Sequence, residues 1–265
     1  MTAQQAKEAR TIVITGGGNG IGKAAGLMCA ARGDRVAIFD VNAEAAKNAA
    51  DEALRAGAAG AIGIACDVSQ EDQVEKAFNQ VAAQLGEPWG LFANAAVGHR
   101  GQIHELPLKT WNLVMEVNLT GVFLTCKHGL RHMIKGASGG SIVCTSSPTG
   151  FVALAAGGAG AYSASKGGIS TLVRCMAVDY APYGIRVNAL VPGSTETKLM
   201  WGDKPPEEIA ETRKLIAHEV PAGRLAQPEE PARAAIWLMS DESVYVTGSH
   251  LVCDGGILAK ASVSK

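Results

Sequence analysis

Short runs rich in β-branched residues alternate with helical patterns along most of the chain, beginning with TIVIT at 11–15 and RVAIFD at 35–40. Strands that alternate with helices of about 10 to 15 residues form parallel sheets with right-handed crossovers. Several runs are apolar on both faces, which indicates a sheet covered by helices on each side. The sequence therefore predicts a doubly wound α/β fold of about seven parallel strands. The predicted helices are 20–32, 43–56, 71–85, 109–133, 161–180 and 229–239.

Length and composition favour a single domain. The chain has 265 residues, of which 47% are hydrophobic, and one core can serve a domain of roughly 250 residues. We expect one domain over 1–265. The segment 197–228, rich in Pro and Glu, interrupts the rhythm and is predicted to be an insertion over the carboxyl edge of the sheet.

Charge and cysteine content exclude several classes of protein. Lys and Arg number 24 against 25 Asp and Glu, and no basic run suggests binding to nucleic acid or to an anionic membrane. The chain shows no signal-peptide pattern and no long apolar run, so we expect a soluble, cytoplasmic protein. Six cysteines stand singly in apolar surroundings, which indicates buried thiols rather than a disulfide framework.

The stretch TGGGNGIG at 15–22 lies between the first predicted strand and the first predicted helix. Gly16, Gly20 and Gly22 have the spacing G-x-x-x-G-x-G, in which backbone N–H groups and the helix dipole would face an anion such as a pyrophosphate. The alternative is that these glycines only allow the helix to pack closely on the strand.

Asp40 ends the second predicted strand, eighteen residues after Gly22. A carboxylate at about this offset binds the ribose hydroxyls of a dinucleotide and repels a 2′-phosphate, which favours NAD over NADP. The turn carries Asn19 and no Arg or Lys before Gly20. The alternative for Asp40 is an N-cap of the helix 43–56, although Asn42 is better placed for that role.

Tyr162 and Lys166 lie four residues apart on a predicted helix and so share one face. A phenol has a pKa of about 10, and a neighbouring ammonium favours the phenolate. Ser147 closes the strand SIVCTSS at the same sheet edge, where its hydroxyl could hold a substrate oxygen. Asn118 lies in a helix, where a short polar side chain needs a specific partner; it is either functional or a structural amide bonded to the backbone.

The ordered set of motifs resembles the short-chain dehydrogenase/reductase family. It comprises TGGGNGIG, ANAA at 93–96, Asn118, the set Ser147, Tyr162 and Lys166, VPG at 191–193 and CDGG at 253–256, and the likeness covers about residues 11 to 257. The resemblance implies that hydride passes directly between a nicotinamide and the substrate carbon, without a metal.

The resemblance also implies a role for each site residue. Tyr162 is the general acid/base, Lys166 lowers its pKa and bonds the nicotinamide ribose, Ser147 orients the reacting oxygen, and Asn118 holds a water in a proton relay. The coenzyme contacts it implies, with those of the glycine turn and Asp40, are Gly16, Gly18, Asn19, Gly20, Ile21, Gly22, Asp40, Asp67, Val68, Asn94, Ala95, Tyr162, Lys166, Pro192, Gly193, Thr195 and Thr197.

Three departures from the family pattern stand out. Ala96 adds a methyl group where the usual motif has glycine. The loop from Ser147 to Tyr162 is about two residues longer than is common in the family, so we expect a reshaped substrate pocket. Ser146 competes with Ser147 for the catalytic position, and the S-x-x-G spacing to Gly150 favours Ser147.

Other polar and aromatic groups suggest no second site. His128 and His132 lie four apart but lack a third metal ligand, and we interpret them as the polar flank of a long helix. Trp201 lies in the segment 197–228, which resembles the substrate-covering segment of the family, and could line the pocket.

The sequence thus predicts an NAD-dependent dehydrogenase acting on a secondary alcohol. Two alternatives are an NADPH-dependent carbonyl or 3-oxoacyl reductase and a non-catalytic, nicotinamide-sensing member of the family. Apolar residues on several faces of 109–133 and 161–180 predict a homodimer or homotetramer. We expect the pocket side chains from 97–104, 148–160 and 197–215, and the substrate stays open.

Overall fold

The computed structural model of the protein describes residues 9–153 and 157–260. Within them, seven strands form one parallel sheet in the order β3-β2-β1-β4-β5-β6-β7. The strands are β1 (Thr11–Thr15), β2 (Arg35–Asp40), β3 (Gly60–Ala65), β4 (Gly90–Ala93), β5 (Gly140–Thr145), β6 (Ile185–Pro192) and β7 (His250–Cys253). The predicted doubly wound sheet is confirmed, and its strand order reverses between β1 and β4, where such folds open a crevice.

Helices cover both faces of the sheet. One apolar core lies between the sheet and α3, α5 and α6, and a second lies between the sheet and α1, α2 and α9. The helices are α1 (Gly20–Ala31), α2 (Ala43–Arg55), α3 (Glu71–Leu85), α4 (Leu108–Met115), α5 (Gly121–Gly136), α6 (Gly160–Tyr180), α7 (Lys198–Trp201), α8 (Pro206–Glu219) and α9 (Glu229–Leu238). Among the described residues, no helix is long and apolar enough to cross a membrane.

Two predicted elements differ from the observed ones. The predicted helix 109–133 is two α-helices, α4 and α5, joined by the π-helical turn Glu116–Thr120. The third predicted strand, AIGIACDV at 61–68, is shorter in the structure, where β3 ends at Ala65. The following Asp67 closes a turn, because its Oδ1 accepts hydrogen bonds from the backbone N and the Oγ of Ser69. The segment 197–228 holds α7 and α8, whereas 154–156 of the Ser147 to Tyr162 loop lie outside the described residues.

The cysteines are reduced, and most of them are buried, as predicted. Cys29, Cys66, Cys126 and Cys144 are buried, while Cys175 is exposed and Cys253 is partly exposed. The Sγ atoms of Cys126 and Cys144 lie 3.8 Å apart, well beyond the length of a disulfide bond. These thiols serve as small apolar side chains of the core.

Candidate active site

The carboxyl ends of β1, β4 and β5 are joined by one side chain, that of Asn94. Its Nδ2 donates to the carbonyl oxygens of Thr15 and Gly16, each at 3.3 Å, and its Oδ1 accepts from Thr145 Oγ1 at 3.1 Å. The Thr15 hydroxyl in turn accepts from the backbone N of Asn94 and of Ala95. The Asn94 amide thus links the ends of three strands through hydrogen bonds. The adenosine contacts of Asn94 and Ala95 stay predictions.

The glycine turn packs tightly against this junction. Gly16 and Gly20 have positive φ, and a Cβ on Gly16 would lie 2.8 Å from Ala95 Cα. A Cβ on Gly22 would lie 2.4 Å from the carbonyl oxygen of Gly16. Close packing therefore accounts for Gly16 and Gly22, and their part in coenzyme binding stays a prediction. Close packing also brings the start of α1 to the crevice without a side-chain cap from Asn19, so backbone N–H groups are available for a pyrophosphate and a dinucleotide fits the turn.

Asp40 ends β2 beside the turn and holds it. Its Oδ2 accepts from the backbone N of Gly18 at 2.9 Å, and its Oδ1 accepts from the backbone N of Asn42 at 3.0 Å. Asn42 is the N-cap of α2, because its Oδ1 accepts from the backbone N of Ala45 at 2.9 Å. The N–H of Gly18, a predicted coenzyme contact, is thus engaged with Asp40.

Ser147 and Tyr162 are brought together at the end of β5. Ser147 is the N-cap of the 3₁₀ turn Pro148–Gly150, and its hydroxyl faces that of Tyr162 closely enough to lower the pKa of the phenol. Thr149 Oγ1 donates to Ser147 Oγ at 3.1 Å, which orients the serine. Ser146 is fully buried and bonds the Lys166 carbonyl oxygen and Ser170 Oγ, so it does not reach the crevice.

Lys166 lies under the tyrosine, with 1% of its surface exposed. Its Nζ donates to the carbonyl oxygen of Thr145 at 2.7 Å and lies 5.5 Å from the centroid of the Tyr162 ring. Burial lowers the pKa of Lys166 to about 8, because removal from water disfavours the charged ammonium. The lysine stays protonated at neutral pH.

The role of Lys166 in lowering the pKa of Tyr162 stays a prediction. Burial raises the pKa of the Tyr162 phenol above its usual value, and the Ser147 hydroxyl opposes this rise only in part. The Lys166 ammonium donates to the Thr145 carbonyl oxygen and faces the ring of Tyr162. With a raised pKa, the Tyr162 phenol is neutral at neutral pH and can donate a proton.

Asn118 lies in the π-helical turn and is fully buried. Its Oδ1 accepts from the backbone N of Val97 at 2.8 Å, and its Nδ2 donates to the Val97 carbonyl oxygen at 2.9 Å and to Ser165 Oγ at 3.3 Å. The structural-amide alternative therefore describes its side chain. This pairing attaches the loop after β4 to the crevice, and the water relay stays a prediction.

The residues predicted at the nicotinamide end follow β6. Pro192 ends the strand, and a Cβ on Gly193 would lie 2.6 Å from Asp254 Cα. Thr195 Oγ1 donates to the Gly193 carbonyl oxygen at 2.9 Å, and Thr197 caps α7. This loop runs along the same carboxyl edge of the sheet as the glycine turn.

The remaining predicted coenzyme contacts lie at the other end of this edge. Asp67 and Val68 follow β3, the neighbour of β2, which ends at Asp40. Val68 is buried against Gly121, where a Cβ would lie 2.7 Å from Val68 Cγ2, and Ile21 lies in the first turn of α1. The topology thus brings every predicted site residue to one edge of one sheet.

The histidines of α5 are hydrogen-bonded to carboxylates. His128 Nε2 lies 3.1 Å from Glu71 Oε1 and is buried, while His132 Nδ1 lies 2.7 Å from Glu87 Oε2. The face of α5 expected to be a polar flank therefore packs against Glu71 and Glu87, which lie at the start of α3 and just after its end. In the part of the chain that the structure describes, no three His, Cys, Asp or Glu side chains are grouped to hold a metal.

Sequence reasoning missed the partners that fix the catalytic side chains. Thr145 and Val97 act through backbone atoms, which any residue type supplies, so the sequence carries no signal for them. Trp201 is also bound in an unexpected way, because its Nε1 donates to Glu196. A Glu five residues before a Trp carries no signal by itself.

Comparisons with known proteins agree with this geometry. The chain matches the family described as Enoyl-(Acyl carrier protein) reductase over residues 16–258. It is 42% identical to the cis-4-hydroxycyclohexanecarboxylate dehydrogenase of Sinomonas cyclohexanicum, across 94% of this chain and 97% of that protein. It is 34% identical to the cyclohexanol dehydrogenase of an Acinetobacter species, across 95% and 96%.

A solved structure gives the same result for the fold. The structure of a short-chain type dehydrogenase/reductase from Mycobacterium marinum superposes with a TM-score of 0.89 at 34% identity, covering 95% of this chain and 96% of that one. The sheet order, the glycine turn and the Ser147, Tyr162 and Lys166 cluster are thus accompanied by full-length similarity. The chain belongs to the short-chain dehydrogenase/reductase family.

Proposed function

We propose that this protein is an NAD-dependent dehydrogenase that transfers a hydride between NAD and a secondary alcohol or its ketone. The single observation that carries the proposal is the hydroxyl pair of Ser147 and Tyr162 above the buried Lys166, next to the glycine turn. Relatives named for cyclohexanol and for hydroxycyclohexanecarboxylate support this substrate class. Retention of both Tyr162 and Lys166 argues against a non-catalytic role.

Each residue of the site has a distinct task in this reaction. Bound NAD would accept the hydride from the substrate carbon. The Ser147 hydroxyl orients the substrate oxygen, and Tyr162 takes the hydroxyl proton during oxidation or returns it during reduction. The Lys166 ammonium, held in place by Thr145, stabilises the phenolate when it forms. Asn118 holds Val97 at the wall of the crevice.

The choice of NAD over NADP is part of the proposal and is supported by Asp40. A carboxylate at this position bonds a free ribose hydroxyl and repels a 2′-phosphate. Residues 16–22 and 40–42 contain no Lys or Arg, and Lys23 is paired with Glu52 at 2.8 Å. A 2′-phosphate would thus meet a negative charge without a balancing cation.

Steady-state rates with the two coenzymes test this choice. We expect catalytic efficiency with NAD to exceed that with NADP at least about 100-fold. The reason is that the negative charges of Asp40 and the 2′-phosphate would repel each other, which costs several kcal/mol of binding free energy. Asp40→Ser should lower the ratio of the efficiency with NAD to that with NADP, because it removes the negative charge that repels the 2′-phosphate. Equal efficiencies in the wild type would favour the second candidate, an NADPH-dependent carbonyl or 3-oxoacyl reductase.

The substrate we propose is a compact, uncharged ring alcohol. A cavity of about 410 Å³ lies next to Thr149, the partner of Ser147, and contains Ile103, Phe151 and Val152 in its wall. No charged side chain lines it within the described residues. Of the three segments expected to form the pocket, 97–104 and 148–160 contribute to this wall.

A panel of secondary alcohols with NAD, followed by the absorbance of reduced nicotinamide, tests the substrate class. Cyclohexanol should be a better substrate than the same ring bearing a carboxylate, because the described wall offers no cation to pair with the acid. A clear preference for the carboxylate would contradict an uncharged substrate, while leaving dehydrogenase activity in place.

We further propose a homodimer or homotetramer located in the cytoplasm. Leu113 on α4, Phe123 on α5 and Val178 on α6 are each about half exposed or more, although large apolar side chains favour burial. Burial of such faces against a second copy is the arrangement that the sequence pattern favours.

A further inference from the structure

The segment after β6 crosses the crevice and contacts both of its sides. Thr197 Cγ2 lies 3.0 Å from the position that a Cβ would take on Gly20, in the glycine turn. Leu199 Cδ1 lies 3.7 Å from the corresponding position on Gly98, in the loop after β4. The segment formed by Thr195 to Trp201, which we name the bridge, is therefore closed over the gap between β1 and β4.

Glu196 ties the bridge to α8. Its Oε2 accepts from Trp201 Nε1 at 2.7 Å, and its two carboxylate oxygens accept from Arg213 Nε at 2.6 Å and from Arg213 Nη2 at 3.1 Å. The Arg213 guanidinium also lies 5.4 Å from the centre of the Trp201 ring. One carboxylate thus fastens both the last residue of α7 and the middle of α8.

These hydrogen bonds matter because α7 is not stable on its own. A helix of four residues is far too short to be stable alone, so its position depends on tertiary contacts. Bidentate pairing of a carboxylate with a guanidinium is among the stronger polar contacts, and 18% of the Glu196 side chain is exposed. The backbone N of Glu196 is fixed as well, donating to the Ala226 carbonyl oxygen at 2.9 Å.

We propose that Glu196 is a positioning residue that, through Trp201 and Arg213, keeps the bridge closed over the coenzyme and substrate crevice. A closed bridge retains bound coenzyme, so weakening the carboxylate should shift the chain toward an open state and lower the apparent affinity. The kinetic consequence rests on the proposed dehydrogenase function, whereas the effect on coenzyme binding and on access to the bridge does not.

The test compares Glu196→Gln with Glu87→Gln. Glu87 is a matched control, since it accepts from His132 at 2.7 Å and from Lys135 at 2.6 Å, has 25% of its side chain exposed and lies at the opposite edge of the sheet. We expect Glu196→Gln to raise the dissociation constant of NAD about fivefold and the KM of the alcohol similarly. The control should stay within twofold of the wild type.

Limited trypsin digestion supplies a readout independent of activity. Lys198, Lys204 and Lys214 lie in or after the bridge, and NAD should slow cleavage there in the wild type and in Glu87→Gln but much less in Glu196→Gln. The melting temperatures of both variants distinguish local opening from general destabilisation. The double variant Glu196→Arg with Arg213→Glu, which restores opposite charges, should recover at least half of the lost NAD affinity.

Two results would overturn the proposal. One is NAD affinity and cleavage in Glu196→Gln within twofold of the wild type. The other is an equal loss in Glu196→Gln and Glu87→Gln that follows their melting temperatures, because that result assigns Glu196 a general structural role. If wild-type protein binds NAD and NAD protects the bridge but no alcohol is oxidised, the proposed function fails and the role of Glu196 stands.

Discussion

Lys166 is a positive charge enclosed by the protein, with one hydrogen bond to a backbone carbonyl as its fixed partner. The fall of its pKa from 10.5 to about 8 corresponds to roughly 3 kcal/mol of folding free energy sacrificed at neutral pH. Such a cost is typical of residues kept for function rather than stability.

Lys166→Met should therefore stabilise the folded chain while removing activity. We expect the free energy of unfolding to rise by about 1 to 2 kcal/mol below pH 8, since loss of the bond to Thr145 offsets part of the gain. Between about pH 8 and pH 10.5 the folded wild type binds fewer protons than the unfolded chain, so its stability rises and the difference shrinks. Urea unfolding at pH 7 and pH 9.5 checks both points; a variant less stable at pH 7 would contradict the cost of burial.

The types of the site residues could be predicted from the sequence, but their mutual geometry could not. Tyr162 and Lys166 share a helix face because they lie one turn apart, and Ser147 ends a neighbouring strand. Burial raises the pKa of Tyr162, and the ammonium below its ring is held by the backbone carbonyl of Thr145. Spacing along the chain contains no information about such a contact.

At the scale of elements, the junction of β1 and α1 depends on the absence of side chains. Gly22 is the third residue of α1, and the carbonyl oxygen of Gly16 occupies the space where a Cβ would be. The start of the helix can approach the crevice only because Gly22 has no side chain. A change here should affect folding and coenzyme binding together.

We expect Gly22→Ala to lower the free energy of unfolding by about 2 to 3 kcal/mol, because a methyl group 2.4 Å from a backbone oxygen forces the turn to move. Gly167→Ala is the control, since its Cβ would lie 3.5 Å from the nearest atom and alanine favours the helix by up to about 1 kcal/mol. Chemical denaturation of both variants gives the comparison. Equal stability of the two would show that the turn tolerates a side chain.

Periodicity predicted the helices well and their irregularities poorly. Asn42 signals the start of α2 because its side chain caps the helix, as the residue type suggests. The π-helical turn Glu116–Thr120 is not visible in the apolar pattern, and its residue Asn118 pairs with the backbone of Val97 in another segment. Tertiary contacts, rather than local propensity, set the hydrogen bonding there.

At the scale of the whole molecule, the order of the strands determines where the candidate active site lies. Because β1 and β4 are neighbours while their following helices lie on opposite faces, the loops after them part and leave the crevice that Asn94 bounds. Alternation of strands and helices predicts this arrangement, so the fold and the edge that carries the site followed from the sequence. The residues of the pocket wall could not be predicted in this way, because loops have no periodic pattern of apolar residues.

Association of copies belongs to this scale as well. We predict that multi-angle light scattering will give a mass of two or four chains, because exposed Leu113 on α4, Phe123 on α5 and Val178 on α6 favour burial. Phe123→Glu should shift the population toward smaller species by placing a charge in the interface. A wild-type mass of one chain, about 27 kDa, at all concentrations would exclude this association without affecting the chemistry.

The most direct measurement is stopped-flow reduction of NAD by Tyr162→Phe, which removes only the phenol hydroxyl. Hydride transfer should slow about 10³-fold with a good alcohol substrate, because the proton of the alcohol then has no base, while the dissociation constant of NAD stays within twofold. Normal turnover in this variant would contradict the role of Tyr162 as the group that moves the proton.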